Sequence, residues 1–462
     1  MFAYGRSLRR RIFQNSTLLT LELSPKWLVA YTVPLMFSPD ESFALELDRT
    51  DPLRGFRERF YFPPGTIYVD GNSLGLLSRD AESSLLRVLD EWRTLGVKGW
   101  LEGKRPWFTF AEEMGAKAAP LVGARPGELV FSGTTTVNIH TLVSAFYRPE
   151  GKRKRILADP LNFPTDLYAL QGQIRNRGLD PDRELVLVPS ADGRTLDESK
   201  IIEAMTDEVA LVFLPTVLYR SGQLLDIERL AAEARRCGIP IGFDASHSAG
   251  IIPHRFSAWG VDFGVFCSYK YLNGGPGCSA FLYLNERHFG LRPGLPGWFG
   301  YVKERQFDLA PDFEPAPSAG GWQISSPGVL GSSPIEGALD VTLEAGIEAI
   351  RAKSIRITSY LIDLVDAVLS GEPYGFGVGS PREPGRRGGH VAIEHPSEAL
   401  RICEALKARR VVPDFRPPNV VRIAPAPLTT SYHEVWRIVQ HLKEIIDGRE
   451  YERFDKARKA IS

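Results

Sequence analysis

Between residues 128 and 284 the chain repeats one pattern: a short, continuously apolar run, then a stretch with helical spacing. The apolar runs fall at 128–131, 155–158, 184–188, 209–214, 239–244, 263–268 and 280–284. Amphipathic stretches at 166–175, 196–205 and 227–237 lie between them, and Gly238 closes the last as a helix cap. Strands without polar alternation are buried on both faces. The pattern therefore predicts an α/β fold, a mainly parallel seven-stranded sheet with helices on either side. Ligands of such sheets bind beyond the carboxyl ends of the strands, which places Asp244 and Lys270 on one rim.

Beyond about residue 334 the texture changes. One long helical stretch (335–369) leads into a Gly/Pro/Arg-rich loop (371–389). Strands at 391–394 and 420–424 then alternate with helices at 397–409 and 432–446. This reads as a small C-terminal α+β domain, 334–462, beside a large domain, 91–333, with residues 36–90 joining the small one. Residues 307–321, rich in Pro, Ala and Gly, read as an ordered loop at the site. The first 35 residues carry Arg6, Arg9, Arg10 and Arg11 and few acids. They faintly resemble an organelle transit peptide, but an unstructured extension, or a start at Met36, is the expectation.

Composition excludes some functions. The 56 basic and 56 acidic residues of the 462 balance, so no electrostatic case exists for nucleic acid or a membrane surface. No apolar run reaches the roughly 18 residues that span a bilayer. The four cysteines, Cys237, Cys267, Cys278 and Cys403, have neither metal-ligand spacing nor a disulfide framework, which fits a reducing cytoplasm and no bound metal.

Chemistry centres on Cys267-Ser268-Tyr269-Lys270-Tyr271-Leu272-Asn273-Gly274-Gly275-Pro276-Gly277. A lysine at the end of a buried strand, between aromatics, is poorly placed for solvation. Desolvation lowers a lysine pKa and makes a nucleophile, and the commonest use is a Schiff base with pyridoxal phosphate. A lysine that snorkels to water is the competing reading.

That cofactor needs further groups, and each has a candidate. Asp244, ending a strand, can pair with the pyridine nitrogen or merely cap a turn. Gly133-Thr134-Thr135-Thr136 opens a helix and can cradle a phosphate or simply cap the helix. Phe163 in Phe163-Pro164-Thr165-Asp166 can stack on a ring, while Thr165 or Asp166 caps the next helix. His247 and Ser248 would line the same pocket. Arg422, a charge inside an apolar strand, needs an anion, either a substrate carboxylate or an internal partner.

Several motifs together resemble the kynureninase family. They are Asp70-Gly71-Asn72-Ser73-Leu74-Gly75-Leu76, Gly103-Lys104-Arg105-Pro106-Trp107, Phe163-Pro164-Thr165-Asp166 and Ser221-Gly222-Gln223. The others are His247-Ser248-Ala249-Gly250, Trp259-Gly260-Val261-Asp262, Ser268-Tyr269-Lys270-Tyr271-Leu272-Asn273, Gly297-Trp298-Phe299-Gly300 and Arg422-Ile423-Ala424-Pro425. The resemblance implies a fold type I pyridoxal phosphate enzyme that cleaves kynurenine hydrolytically, within tryptophan catabolism by the kynurenine pathway and NAD biosynthesis. It implies that Lys270 carries the cofactor, with Asp244 and His247 at its ring nitrogen. Thr135, Thr136 and Tyr269 would hold its phosphate, and Tyr269 would also move protons. Phe163, Pro164, Thr165 and Asp166 would surround the ring, and Thr216 matches a further cofactor position. Trp298 and Ser326 would reach the phosphate across a homodimer interface. Arg422, Ser73 and Trp100 would contact substrate.

Three positions depart from the animal-type pattern: Ser326 replaces asparagine, Trp100 replaces histidine, and Thr216 replaces a small residue. Within that resemblance the first two favour plain L-kynurenine over its 3-hydroxy form, with a relaxed pocket that takes both as the alternative. A cysteine desulfurase or an aminotransferase on the same fold is the alternative, and a non-catalytic cofactor-binding protein is a third reading. A dinucleotide oxidoreductase fits worse, because Gly274-Gly275-Pro276-Gly277 lacks the required glycine spacing.

Overall fold

The structure, a computed structural model, describes residues 37–457; the expectation for residues 1–35 lies outside them. Seven strands build the large sheet: β1 (Leu129–Phe131), β2 (Arg155–Ala158), β3 (Leu185–Leu187), β4 (Val209–Pro215), β5 (Ile241–Asp244), β6 (Phe263–Cys267) and β7 (Ala280–Leu284). Their order is β1-β7-β6-β5-β4-β2-β3. All neighbours run parallel except at β7, which is antiparallel to both β1 and β6. The sheet is thus mainly parallel, as the apolar runs require. β4 to β7 are buried at every residue, whereas β3, at the edge, is only partly covered and correspondingly short.

Local chemistry sets the ends of the crossover helices. Asp226 accepts the Arg229 N–H at the start of Ile227–Arg236. Gly238, at φ +63°, ends it while its N–H and that of Ile239 return to Arg235 and Ala234 carbonyls. Gly242 in β5 is needed because a Cβ there would run into the Phe263 ring of β6.

The small α+β unit contains a four-stranded antiparallel sheet of β8 (Gly377–Val378), β9 (Val391–Glu394), β10 (Asp414–Arg416) and β11 (Val420–Ile423), in the order β10-β11-β9-β8. The expected single helix over 335–369 is two, Pro334–Ala345 and Ile347–Val368. Gly346, at φ +78°, breaks it, a conformation the apolar periodicity on either side does not reveal. Ile67–Tyr68 pairs with Val411–Val412, and Ala44, Leu47, Ile67 and Val69 share a core with the C-terminal helices. Among the described residues no helix is long and apolar enough to cross a membrane.

Candidate active site

Topology gathers the chemical groups at the carboxyl rim of the large sheet. Thr135 and Thr136 open the helix after β1, Phe163 to Asp166 open the helix after β2, and Thr216 follows β4. Asp244 ends β5, and Lys270 lies three residues beyond β6.

Lys270 is half-buried, and its Nζ lies 3.0 Å from His247 Nε2. The same ammonium is 5.9 Å from the centroids of both the Phe163 and the Tyr269 rings. Phe163 is 42 % exposed, an apolar face left open beside a lysine, and Tyr219 packs edge-on against it at 5.4 Å. Burial and the Lys270 charge push the His247 imidazole well below its usual pKa, so it is neutral, and its buried Nδ1 has no protein partner. Burial raises the Tyr269 phenol, which therefore keeps its proton at neutral pH.

Gly75 holds this lysine from the far side. Its N–H donates to the Tyr269 carbonyl at 2.7 Å, and a Cβ there would collide with the Lys270 carbonyl and the Asn273 side chain. This gives the Asp70–Leu76 motif a concrete task, since no larger residue fits against the lysine turn.

Three buried carboxyls lie beneath. Burial raises Asp244, while Lys270 and the Ser246 groups oppose the rise. Asp166 is fully buried and raised well above its ordinary value by burial, Asp244 and Asp159, and neither of its oxygens has a hydrogen-bond partner of standard geometry. Asp159 is pushed up to about 7 by burial. A cationic ring nitrogen is the kind of group this acidic floor accepts. Thr216 is buried, its N–H donates to the Asp244 carbonyl at 2.8 Å, and its hydroxyl lies 2.7 Å from Ser248 Oγ. It braces Asp244 from behind.

Gly133, at φ +64°, turns β1 into the helix Thr135–Phe146, and Thr136 Oγ1 lies 2.8 Å from Thr165 Oγ1. The helix N-terminus and these hydroxyls suit a phosphate.

Arg422 is 1 % exposed on β11 and has the internal partner that sequence left as one of two readings. Its Nη2 lies 2.5 Å from Asp414 and donates to Ser73 Oγ at 2.8 Å, and its Nη1 donates to the Tyr219 carbonyl at 2.7 Å. Asn72 is oriented to accept from Nε at 3.2 Å and to donate to Asp70. Asp70 is raised to about 6 by burial and the Asp414 charge. Sequence reasoning missed Asp414, whose signal was an acid in a short apolar strand, and Tyr219. It also missed His390, a buried neutral imidazole 5.9 Å from the His247 ring.

A half-buried lysine over an acidic floor, with a ring platform, an anion cradle and a guanidinium, fits pyridoxal phosphate. The kynureninase C-terminal domain family matches residues 350–442, and the aminotransferase class-V family matches residues 98–381. A kynureninase of Geobacillus thermodenitrificans is 54 % identical over 92 % of this chain and 98 % of its own length. One of Shouchella clausii is 49 % identical over 91 % and 98 %. The chain belongs to the kynureninase family. Its cofactor is pyridoxal phosphate.

Among solved structures, a cysteine desulfurase of Thermococcus onnurineus superposes with TM-score 0.71 at 18 % identity, covering 85 % of this chain and 98 % of its own. A C-DES variant with glycine linked to its pyridoxal phosphate gives 0.71 at 17 %, over 84 % and 98 %. These share the fold. Burial raises the Cys267, Cys278 and Cys403 thiols, the last within the helix Ala399–Ala408, and Cys237 is partly exposed.

The remaining family positions form a second group. Trp100 packs against Trp107 at 5.8 Å and Phe299 at 5.9 Å, and it lines a cavity with Val88, Trp92, Ser326 and Leu330. Trp298 is 51 % exposed and sits on Phe299 and Phe307. Lys303 lies over the Phe108 and Phe299 rings at 4.6 and 4.0 Å and steadies this loop.

Proposed function

We propose that this kynureninase-family enzyme hydrolyses L-kynurenine at its Cβ–Cγ bond, giving anthranilate and L-alanine. The observation that carries the reading is Lys270 Nζ at 3.0 Å from a neutral His247, above buried carboxyls and beside an open phenylalanine face. When bound, pyridoxal phosphate supplies the electron sink that weakens bonds to the substrate Cα.

Lys270 would hold the cofactor and take the substrate's Cα proton; neutral His247 can accept a hydrogen bond from its ammonium. Asp244 and Asp166 would favour a protonated ring nitrogen, Phe163 would cover the ring, and Thr135, Thr136 and Thr165 would hold the phosphate. Arg422, held by Asp414, Ser73 and the Tyr219 carbonyl, would turn its remaining Nη1 hydrogen to the substrate carboxylate. Tyr269, protonated at neutral pH, is suited to donate a proton after water adds to the γ-carbonyl. The overall change consumes one water and needs no oxidant.

The enzyme works as a homodimer in this reading. Trp298 and Ser326 are exposed, and the cavity that Ser326 borders carries the exposed Trp92, with exposed Leu86 and Leu89 beside it, an apolar surface that suits a second copy. Trp100 in place of a hydrogen-bonding residue favours the unhydroxylated aryl ring. A cytoplasmic location agrees with four unpaired cysteines. The joining of the segment 36–90 to the small domain is supported by the shared core of Ala44, Leu47, Ile67 and Val69 and by the Ile67–Tyr68 pairing, whereas Ala81, Ile335, Ala338 and Leu339 pack in the core of the large sheet, which speaks against a division at residue 334.

The test is Lys270→Ala with L-kynurenine, followed by anthranilate fluorescence. The reading predicts loss of turnover, and near-native anthranilate production by the variant would end it.

A further inference from the structure

Three arginines are buried among the described residues, and one of them, Arg422, meets a carboxylate, Asp414. Two do not. Arg387 is 1 % exposed and donates only to neutral acceptors: Thr358 Oγ1 at 3.1 Å, the Pro381 and Arg382 carbonyls at 2.9 and 2.8 Å, and Ser359 Oγ at 2.8 Å. Arg351 is 9 % exposed, and its Nη2 donates to the Pro384 and Arg387 carbonyls at 3.0 and 2.9 Å. Its Nη1 is buried with no partner. Among the described residues no carboxylate lies within ion-pair distance of either guanidinium. Each lowers its charge affinity accordingly, to about 10, Arg351 by burial and the Arg387 charge, Arg387 by burial against a partial offset from Asp363. An uncompensated buried cation is strongly unfavourable.

We propose that Arg351 Nη1, backed by Arg387, binds a small monovalent anion of chloride size. The Pro384 and Arg387 carbonyls already take Nη2, so the anion is held through Nη1 alone and a bidentate carboxylate or phosphate cannot use both terminal nitrogens. The position gives the anion a structural consequence. The segment 380–388 supports the loop that carries Tyr219, through Ser380 Oγ to the Ser221 carbonyl (2.5 Å), Gly388 N–H to the Gly222 carbonyl (2.7 Å) and Leu224 N–H to the Arg386 carbonyl (2.8 Å). Tyr219 in turn holds Arg422. A bound anion joins the helix Ile347–Val368 to this support and steadies it. The site is separate from the lysine chemistry, so its failure would leave the kynureninase reading untouched.

Two measurements on the pyridoxal-phosphate-loaded protein test it. Crystals soaked in sodium bromide should give an anomalous peak within hydrogen-bond reach of Arg351 Nη1, and no peak there overturns the proposal. In melting experiments at constant ionic strength, replacing gluconate with chloride should raise the wild-type Tm and saturate, while Arg351→Met shows no such rise. Parallel chloride responses in both proteins would mark an adventitious ion only and overturn the proposal, even with a bromide peak. Should Arg351→Met fail to fold, the same comparison is made with Arg351→Gln, and the bromide map needs no variant.

Discussion

Arg422 carries two tasks that one substitution confounds and a pair of substitutions separates. Arg422→Met leaves Asp414 buried. Breaking a buried pair costs about 3–5 kcal/mol, and here the low end applies, because Arg416 Nε still lies 2.6 Å from Asp414. The variant should therefore lose roughly 3 kcal/mol of stability in urea denaturation. Arg422→Met with Asp414→Asn removes both charges and should regain most of that loss. The catalytic task does not recover. Four of the five Arg422 N–H groups are taken by Asp414, Ser73, the Tyr219 carbonyl and Asn72, so one charge-assisted hydrogen bond from Nη1 remains for a substrate carboxylate, worth about 1.5–3 kcal/mol, or about 10- to 10²-fold in kcat/KM. Both variants should show that loss in an anthranilate fluorescence assay, mostly as raised KM. A double variant with native stability and native KM would refute the carboxylate-clamp reasoning, and a double variant as unstable as the single would refute the ion-pair reasoning.

Gly75→Ala drives a Cβ into the Lys270 main chain, so it should weaken cofactor retention at least tenfold, read from visible absorbance after dialysis; unchanged retention would contradict the close packing. Asp159 is raised from 3.8 to about 7, so the folded state binds its proton more tightly than the unfolded state. Its contribution is complete below about pH 4 and is lost as pH rises through 7. Cofactor-free wild type should accordingly lose stability relative to Asp159→Asn across that window, by up to ~1.4 kcal/mol per pH unit, in denaturant titrations at each pH. An opposite slope would show that Asp159 is ionised in the fold. Replacing Cys237, Cys278 and Cys403 together with Ala, and sparing Cys267 beside Tyr269, should leave kcat on kynurenine within about threefold, since substitutions removed from the reacting atoms act mainly on stability; abolition would revive thiol chemistry.

The mainly parallel sheet and its rim could be read from sequence because continuous apolar runs tolerate only a doubly covered sheet; the order of the strands, which brings residues 135, 163, 216, 244 and 270 to one edge, could not. Other features lay beyond it. Asp414 and Arg422 meet because β10 and β11 pair, and a three-residue strand leaves almost no periodic signal. The brace from Thr216 to Asp244 depends on the β4–β5 register, which the sequence does not state. Gly346 interrupts a helical period without disturbing its apolar spacing. Gly75 was visible as a motif, but its contact with the Lys270 carbonyl joins segments about two hundred residues apart.

The central claim is that this lysine site, charged with its cofactor, cleaves kynurenine by hydrolysis. The most direct measurement is a visible spectrum of the purified, cofactor-loaded protein during addition of L-kynurenine, with anthranilate fluorescence and alanine followed together. The account predicts repeated turnover with anthranilate and L-alanine in equal amounts and the original cofactor spectrum restored at the end. Conversion of the cofactor to its amine form without anthranilate would contradict it and make the protein an aminotransferase.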